Sequence, residues 1–221
     1  MRKTLTLSSL VVIVLWSAVI VRAQDAEFQL RLAQSLEQGG EWDRAAAMYE
    51  RLHHSEPDNE VYVQGLQRSY LRLREYGKAI DLVNQQIKRQ PANVMLPVSL
   101  GGIYYESGSE QQADSVWNHV IQSNPSNIGV YRVVAAEMLE HRLFPQAIHA
   151  YLEGRTATGN ENAFTDDLAN LYTVLQQYEA ASKEFIRLLK QSPQQLPFIE
   201  SRIGSFTIRD AGLQAATSVT R

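Results

Sequence analysis

Apolar side chains recur through most of the chain at the spacing of one helical face, and the stretches that carry them come in pairs. EVYVQGLQRSYLRL (60–73) and GKAIDLVNQQIKRQ (77–90) each place apolar residues at i, i+3 or i+4, and i+7, the signature of an amphipathic helix with one buried stripe. Between pairs stands a short polar turn that returns without drift. SEPDN, RQPAN and SNPSN put proline at 57, 91 and 125, with asparagine two residues later at 59, 93 and 127. Proline stops a helix because it lacks an N–H and clashes with the turn before it. The asparagine can then cap the following helix by accepting a backbone N–H bond. The pattern predicts an all-α chain of helix pairs repeating every 34 residues.

The period can be followed through five consecutive units, 26–59, 60–93, 94–127, 128–161 and 162–195. The twentieth position of each is alanine: Ala45, Ala79, Ala113, Ala147 and Ala181. The twenty-fourth is bulky: Tyr49, Val83, Trp117, Tyr151 and Phe185. The eighth is small in four units (Ala33, Gly101, Ala135, Ala169), with Gln67 the exception, and the eleventh is large (Leu36, Tyr70, Tyr104, Met138, Tyr172). Small residues let two helix axes approach within about 8–10 Å, and large ones fill the space beside them. Aromatics also recur at the seventeenth position (Trp42, Tyr76, Phe144, Tyr178), and the aromatic series as a whole is expected in the core. Pro97, Pro145 and Pro197 all fall in the first turn of a predicted helix, where a missing N–H costs nothing. A partial sixth unit, 196–221, keeps the phase, with Ala215 and Val219 at its twentieth and twenty-fourth positions.

These positions resemble the tetratricopeptide repeat family, whose small residues at 8 and 20, bulky ones at 11 and 24 and proline at 32 appear in five successive units. The resemblance departs at the fourth position, where tryptophan is usual and Gln29, Val63, Pro97, Tyr131 and Thr165 stand. It implies a right-handed α-solenoid of helix-turn-helix units, five full and a partial sixth. It also implies a concave groove, lined by the first helices at positions 2, 5, 9, 12 and 13, that receives an extended peptide or a partner helix. In the second unit these are Val61, Gln64, Arg68, Leu71 and Arg72, and in the third Met95, Val98, Gly102, Tyr105 and Glu106. The fourth unit supplies Arg132, Ala136, Leu139 and Glu140, and the fifth Asp166, Asn170 and Thr173. Arg68, Arg72 and Arg132 would face an anionic group, since guanidinium forks suit carboxylates. Met95, Val98, Tyr105 and Leu139 would form an apolar floor between them. The basic clamp that some family members use on acidic chaperone tails is missing, its positions reading Leu30, Gln34, Gln64 and Arg68.

The N-terminus is of another kind. Arg2 and Lys3 precede eighteen uncharged residues, Thr4 to Val21, and then Arg22 and Ala23. A basic start, an apolar run and small residues at the end read as a signal peptide cut after Ala23, which would place the protein in the periplasm or outside the cell. The rival reading is an uncleaved anchor, since eighteen uncharged residues can just span a bilayer as a helix. Removal of residues 1–23 leaves 18 basic and 24 acidic side chains, a net charge of −6. That argues against a nucleic-acid or anionic-membrane binder, which needs positive charge to displace counterions. Cysteine is absent, so disulfides, thiolate metal sites and cysteine nucleophiles are excluded.

No catalytic or phosphate-binding motif is present. His53 and His54 are adjacent on one predicted helix and point apart, as do Asp166 and Asp167. The expected function is a non-catalytic scaffold or adaptor with no cofactor or metal, binding a protein or peptide segment, with the arginines suiting an acidic one. Two other readings stay open. One is the front portion of a longer envelope peptidase or glycan-processing enzyme. The other is self-association through the unfinished sixth unit.

Overall fold

The computed structural model describes residues 25–207. The proposed signal segment and the last part of the sixth unit lie outside them. All described regular structure is helical: α1 (25–38), α2 (Trp42–Ser55), α3 (Glu60–Arg72), α4 (Tyr76–Arg89), α5 (Met95–Glu106), α6 (Glu110–Gln122), α7 (Ile128–Glu140), α8 (Phe144–Ala157), α9 (Thr165–Val174), α10 (Tyr178–Gln191) and α11 (Leu196–Thr207), the last preceded by a 3-10 turn at Pro193–Gln195. None of the described helices is long and apolar enough to cross a membrane. The chain divides into two compact units, Met1–Ala92 and Asn93–Arg221, and within each of them successive helices pack on one another as an α-solenoid-type repeat.

The repeated small and large positions build the core. Ala45, Ala79, Ala113, Ala147 and Ala181 are wholly buried, and Tyr49, Val83, Trp117, Tyr151 and Phe185 are buried beside them. Glycine does the same work where two helices come closest. A Cβ at Gly65 would lie 2.3 Å from the Tyr49 ring, and one at Gly101 would lie 2.2 Å from Nε1 of Trp117. Gly65 explains why the large Gln67 is tolerated in its unit: the close approach is made two residues earlier. The seventeenth-position aromatics depart from expectation, since Trp42, Tyr76, Phe144 and Tyr178 are only half-buried. Each opens its helix as the first residue, where the core is not yet closed over it.

Both ends of the first helices are fixed by local bonds. Asn59, Asn93 and Asn127 accept the N–H of Val61, Met95 and Gly129 through Oδ1 at 3.2, 3.1 and 3.0 Å. At the other end, the fifteenth residue of each unit has a left-handed backbone: Gly40, Arg74, Gly108, Arg142 and Gln176, with φ between 58° and 82°. Each donates its N–H three residues back, and its successor donates five residues back, to the carbonyls of Leu36, Tyr70, Tyr104, Met138 and Tyr172. This closes the helix by satisfying carbonyls that would otherwise be unpaired. Only two of the five residues are glycine, so three side chains occupy a conformation that costs about 1–2 kcal/mol. Arg74→Gly is therefore expected to raise stability by about 0.5–1 kcal/mol after glycine's own entropic penalty. Gly108→Val, at φ 82° with open space around the new side chain, should lower it by about 1–2 kcal/mol. Urea midpoints of the two variants check both signs.

The fifth unit begins late. Gly159 stands where the others have proline, Asn160 makes the turn bond to the N–H of Asn162, and α9 starts at Thr165 rather than near 162. Phe164 takes the residue before it, at φ 57°, because its ring is buried between Tyr131 and Tyr151 at centroid distances of 6.4 and 4.9 Å.

Candidate functional site

In the unit Met1–Ala92, α1 and α3 present Glu37, Gln64, Arg68 and Arg72. Gln64 is exposed. Arg68 is not free to receive a foreign carboxylate: its Nε and Nη2 donate to the two oxygens of Glu37 at 2.6 and 3.2 Å. The Tyr49 hydroxyl donates to Glu37 at 2.8 Å, which anchors the pair to the core. Arg72 lies over the Trp42 ring, 5.5 Å from its centroid. The hydrogen bond from Arg68 holds the Glu37 carboxyl below its ordinary value, against an opposing push from burial. Burial, then the bond to Glu37, pushes the Tyr49 hydroxyl up to about 12. At the far end of α2, His53 is half-buried and its imidazole is held below 6.5, mainly by burial and then by Arg89.

Glu37 makes a testable contribution. Its folded-state value lies below the unfolded one, so its stabilisation is complete above pH 4.5 and is lost as pH falls through the lower folded value. Glu37→Gln should cost about 1 kcal/mol at pH 7, because Arg68 is half-exposed and the pair partly screened. The gap between variant and parent should close as pH is lowered toward 3, in urea titrations run at a series of pH values.

In the unit Asn93–Arg221 the first helices are α5, α7, α9 and α11. Met95 is 52% exposed at the start of α5. Tyr105 and Leu139 are half-buried and pack against the core edge. Val98 does not belong with them: it is 1% exposed and its carbonyl accepts the Trp117 indole N–H at 3.0 Å. The expected apolar floor thus loses Val98 to the core. MLPVSLGGIYY has no charge to mark an outer side, and Gly101 leaves room for the indole to draw this turn of α5 inward. Arg132 donates to Asp167 at 3.0 Å and lies over the Phe164 ring at 5.5 Å. Asn170 donates to Asp166 at 3.4 Å.

Gly102 is where α5 and α7 come together. A Cβ there would lie 2.0 Å from Oε1 of Glu137 and 2.9 Å from Nε2 of His141. Glu137 and His141 approach to 3.5 Å, and the Tyr105 ring stands 5.2 Å from the imidazole. Burial raises the Glu137 carboxyl above its ordinary value, His141 opposes that, and Glu106 and Glu140 add to it.

The three arginines read as anion-facing are therefore engaged: two by carboxylates roughly one repeat away, one by an aromatic ring. Reading by position passed over Glu37, Glu137, His141 and Asp167. The available signal was acid–base pairing across one repeat, since Glu37 and Arg68 are 31 residues apart and Arg132 and Asp167 are 35 apart. Among the described residues no group of three or more His, Asp or Glu could hold a metal ion.

A helix-pair repeat of this kind is suited to protein–protein interaction. The tetratricopeptide-repeat profile matches residues 27–59, and the same buried alanine and bulky positions recur in each later pair. The fold is an all-α repeat of the tetratricopeptide type. Among solved structures it is similar to a thermophilic tetratricopeptide-repeat protein of Thermus thermophilus, at 18% identity over 89% of this chain and 100% of that one, TM-score 0.44. It is also similar to MamA of Desulfovibrio magneticus, at 16% identity over 77% of this chain and 96% of that one, TM-score 0.42. No curated protein matches the chain.

Proposed function

We propose that this protein is a non-catalytic docking scaffold of the cell envelope, exported by residues 1–23, that receives a segment of a partner protein on the outer side of its first helices. The observation that carries the reading is the exposure on α5 and α7. Met95 and Ala136 are open, and Tyr105 and Leu139 are half-open. Stacked helices order such a surface before any partner arrives, so the receptor gives up little conformational freedom on binding.

Two experiments test it. Intact-mass measurement of the protein recovered from cells should give a chain starting at Gln24. A chain starting at Met1 in the membrane fraction would replace export by anchoring. In cross-linked capture with the full chain as bait, Met95→Ala/Ala136→Trp should lose the partner that the parent retains. Both residues are exposed, so the fold is spared. Equal recovery by parent and variant would overturn the docking face. Arg68→Glu or Arg132→Glu would be poor probes, since each would set a carboxylate against Glu37 or Asp167.

A further inference from the structure

At four glycines among the described residues a neighbouring element comes so close that a Cβ would collide with it, and three of these contacts are closed by aromatic rings. Tyr49 lies against Gly65, Trp117 against Gly101, and Tyr131 with Phe164 against Gly154. The fourth is closed by two titratable groups. At Gly102 on α5 the space is filled by the Glu137 carboxylate and the His141 imidazole of α7, which are 3.5 Å apart and only 27% and 13% exposed. A ring holds such a contact at any pH, whereas a carboxylate and an imidazole change charge with it. The charges that act on Glu137 are those of His141, of Glu106 on α5 and of Glu140 on α7. From α6 the uncharged Trp117 ring stands 6.5 Å from the imidazole, and Arg142 is exposed one residue beyond it. Once Glu137 ionises, three carboxylates share the neighbourhood of one imidazole at a largely buried helix contact.

We propose that the α5–α7 contact at Gly102 is a proton-controlled clamp on the docking face, firm in mild acid while Glu137 carries a proton and loosened as pH rises and the carboxylate forms. This rests on the docking face proposed above. Tyr105 belongs to that face and its ring lies 5.2 Å from the imidazole, so loosening of the clamp reaches the face directly. A face that is less ordered before binding holds its partner less well, so docking is strongest in mild acid. Burial, helped by Glu106 and Glu140 and opposed by His141, holds the Glu137 carboxyl above its ordinary value. With the folded value above the unfolded one, its contribution to stability is complete below pH 4.5 and is lost as pH rises through the raised value. That sign is opposite to the one expected at Glu37.

The test is amide hydrogen exchange, read by NMR on the purified protein and on Glu137→Gln, which keeps the shape of the protonated side chain. Comparing the two at the same pH cancels the intrinsic pH dependence of exchange. At pH 4 the amides of Gly102 and Tyr105 should exchange at equal rates in both proteins. At pH 8 they should exchange about fivefold faster in the parent. Equal rates at both pH values would overturn the clamp. Glu110→Gln, the same charge change on an exposed position of α6, should leave these amides as in the parent. Slowing equal to that of Glu137→Gln would reduce the effect to net charge and overturn it as well. Photo-cross-linking from Ala136 then tests the link to docking. Its product should fall between pH 5 and pH 8 in the parent and persist in Glu137→Gln. A yield independent of pH would leave the contact without control over docking and overturn the proposal. No product from 136 at any pH would instead remove the docking face itself, a failure that the exchange rates of the free protein keep separate.

Discussion

Replacing Glu184 by alanine is expected to destabilise the protein by about 3–5 kcal/mol, the usual cost of stranding a buried charge. Arg155 on α8 donates through both Nη atoms to the two oxygens of Glu184 on α10, each at 2.9 Å. Their side chains are only 11% and 9% exposed. Arg155 also donates from Nε to the Ala163 carbonyl at 3.0 Å, so the pair ties two second helices to the turn between them. With the carboxylate removed, the guanidinium keeps one bond and loses its charge partner in a site that water barely reaches. The pair need not be net stabilising, because desolvating two ions offsets most of their attraction. Arg155→Met/Glu184→Leu should therefore recover most of the loss. Guanidinium-chloride midpoints of the two single variants and the double decide the matter. Losses that simply add would mean the two side chains act independently, contrary to their bidentate contact.

The second large effect is expected at Trp117→Ala, about 3–5 kcal/mol, from lost burial and the cavity left behind. Trp117 is wholly buried, with its indole N–H on the Val98 carbonyl and its ring over Gly101. Trp117→Phe keeps most of the apolar contact but leaves that carbonyl without its donor, and should cost about 1–3 kcal/mol. Gly101→Val should be severe in the parent, because a Cβ there would lie 2.2 Å from the indole nitrogen. In the Trp117→Ala background the same change should cost much less. That coupling distinguishes a steric contact from a general weakness of α5.

The sequence was most informative where one residue type can satisfy a repeated geometric demand. Alanine at every twentieth position and an asparagine cap after proline are demands of this kind, and Ala113 and Asn127 sit where the period puts them. The turn that closes each first helix was half-hidden. Gly40 and Gly108 announce a left-handed residue, whereas Arg74, Arg142 and Gln176 hold the same conformation without any compositional sign of it. There the backbone is dictated by the bonds back to the eleventh residue, not by the side chain.

The binding face was read less well, for two physical reasons. Position predicts which side a helical residue is on only while polar and apolar residues alternate. In α5 they do not, so Val98 was placed outside although it lies inside. Position also says nothing about whether a charge is already matched. Arg68 and Arg132 are exposed, yet carboxylates from the neighbouring repeat occupy their forks.

The central claim is that partners dock on the first helices of the repeat. Its most direct measurement is site-specific photo-cross-linking in cells, with a photoreactive residue at Ala136 on α7 or, separately, at Leu152 on α8. Both positions are exposed and lie in the same compact unit. The account predicts a discrete cross-linked product from position 136 and none from 152. A product from 152 alone would place the partner on the second helices and contradict it.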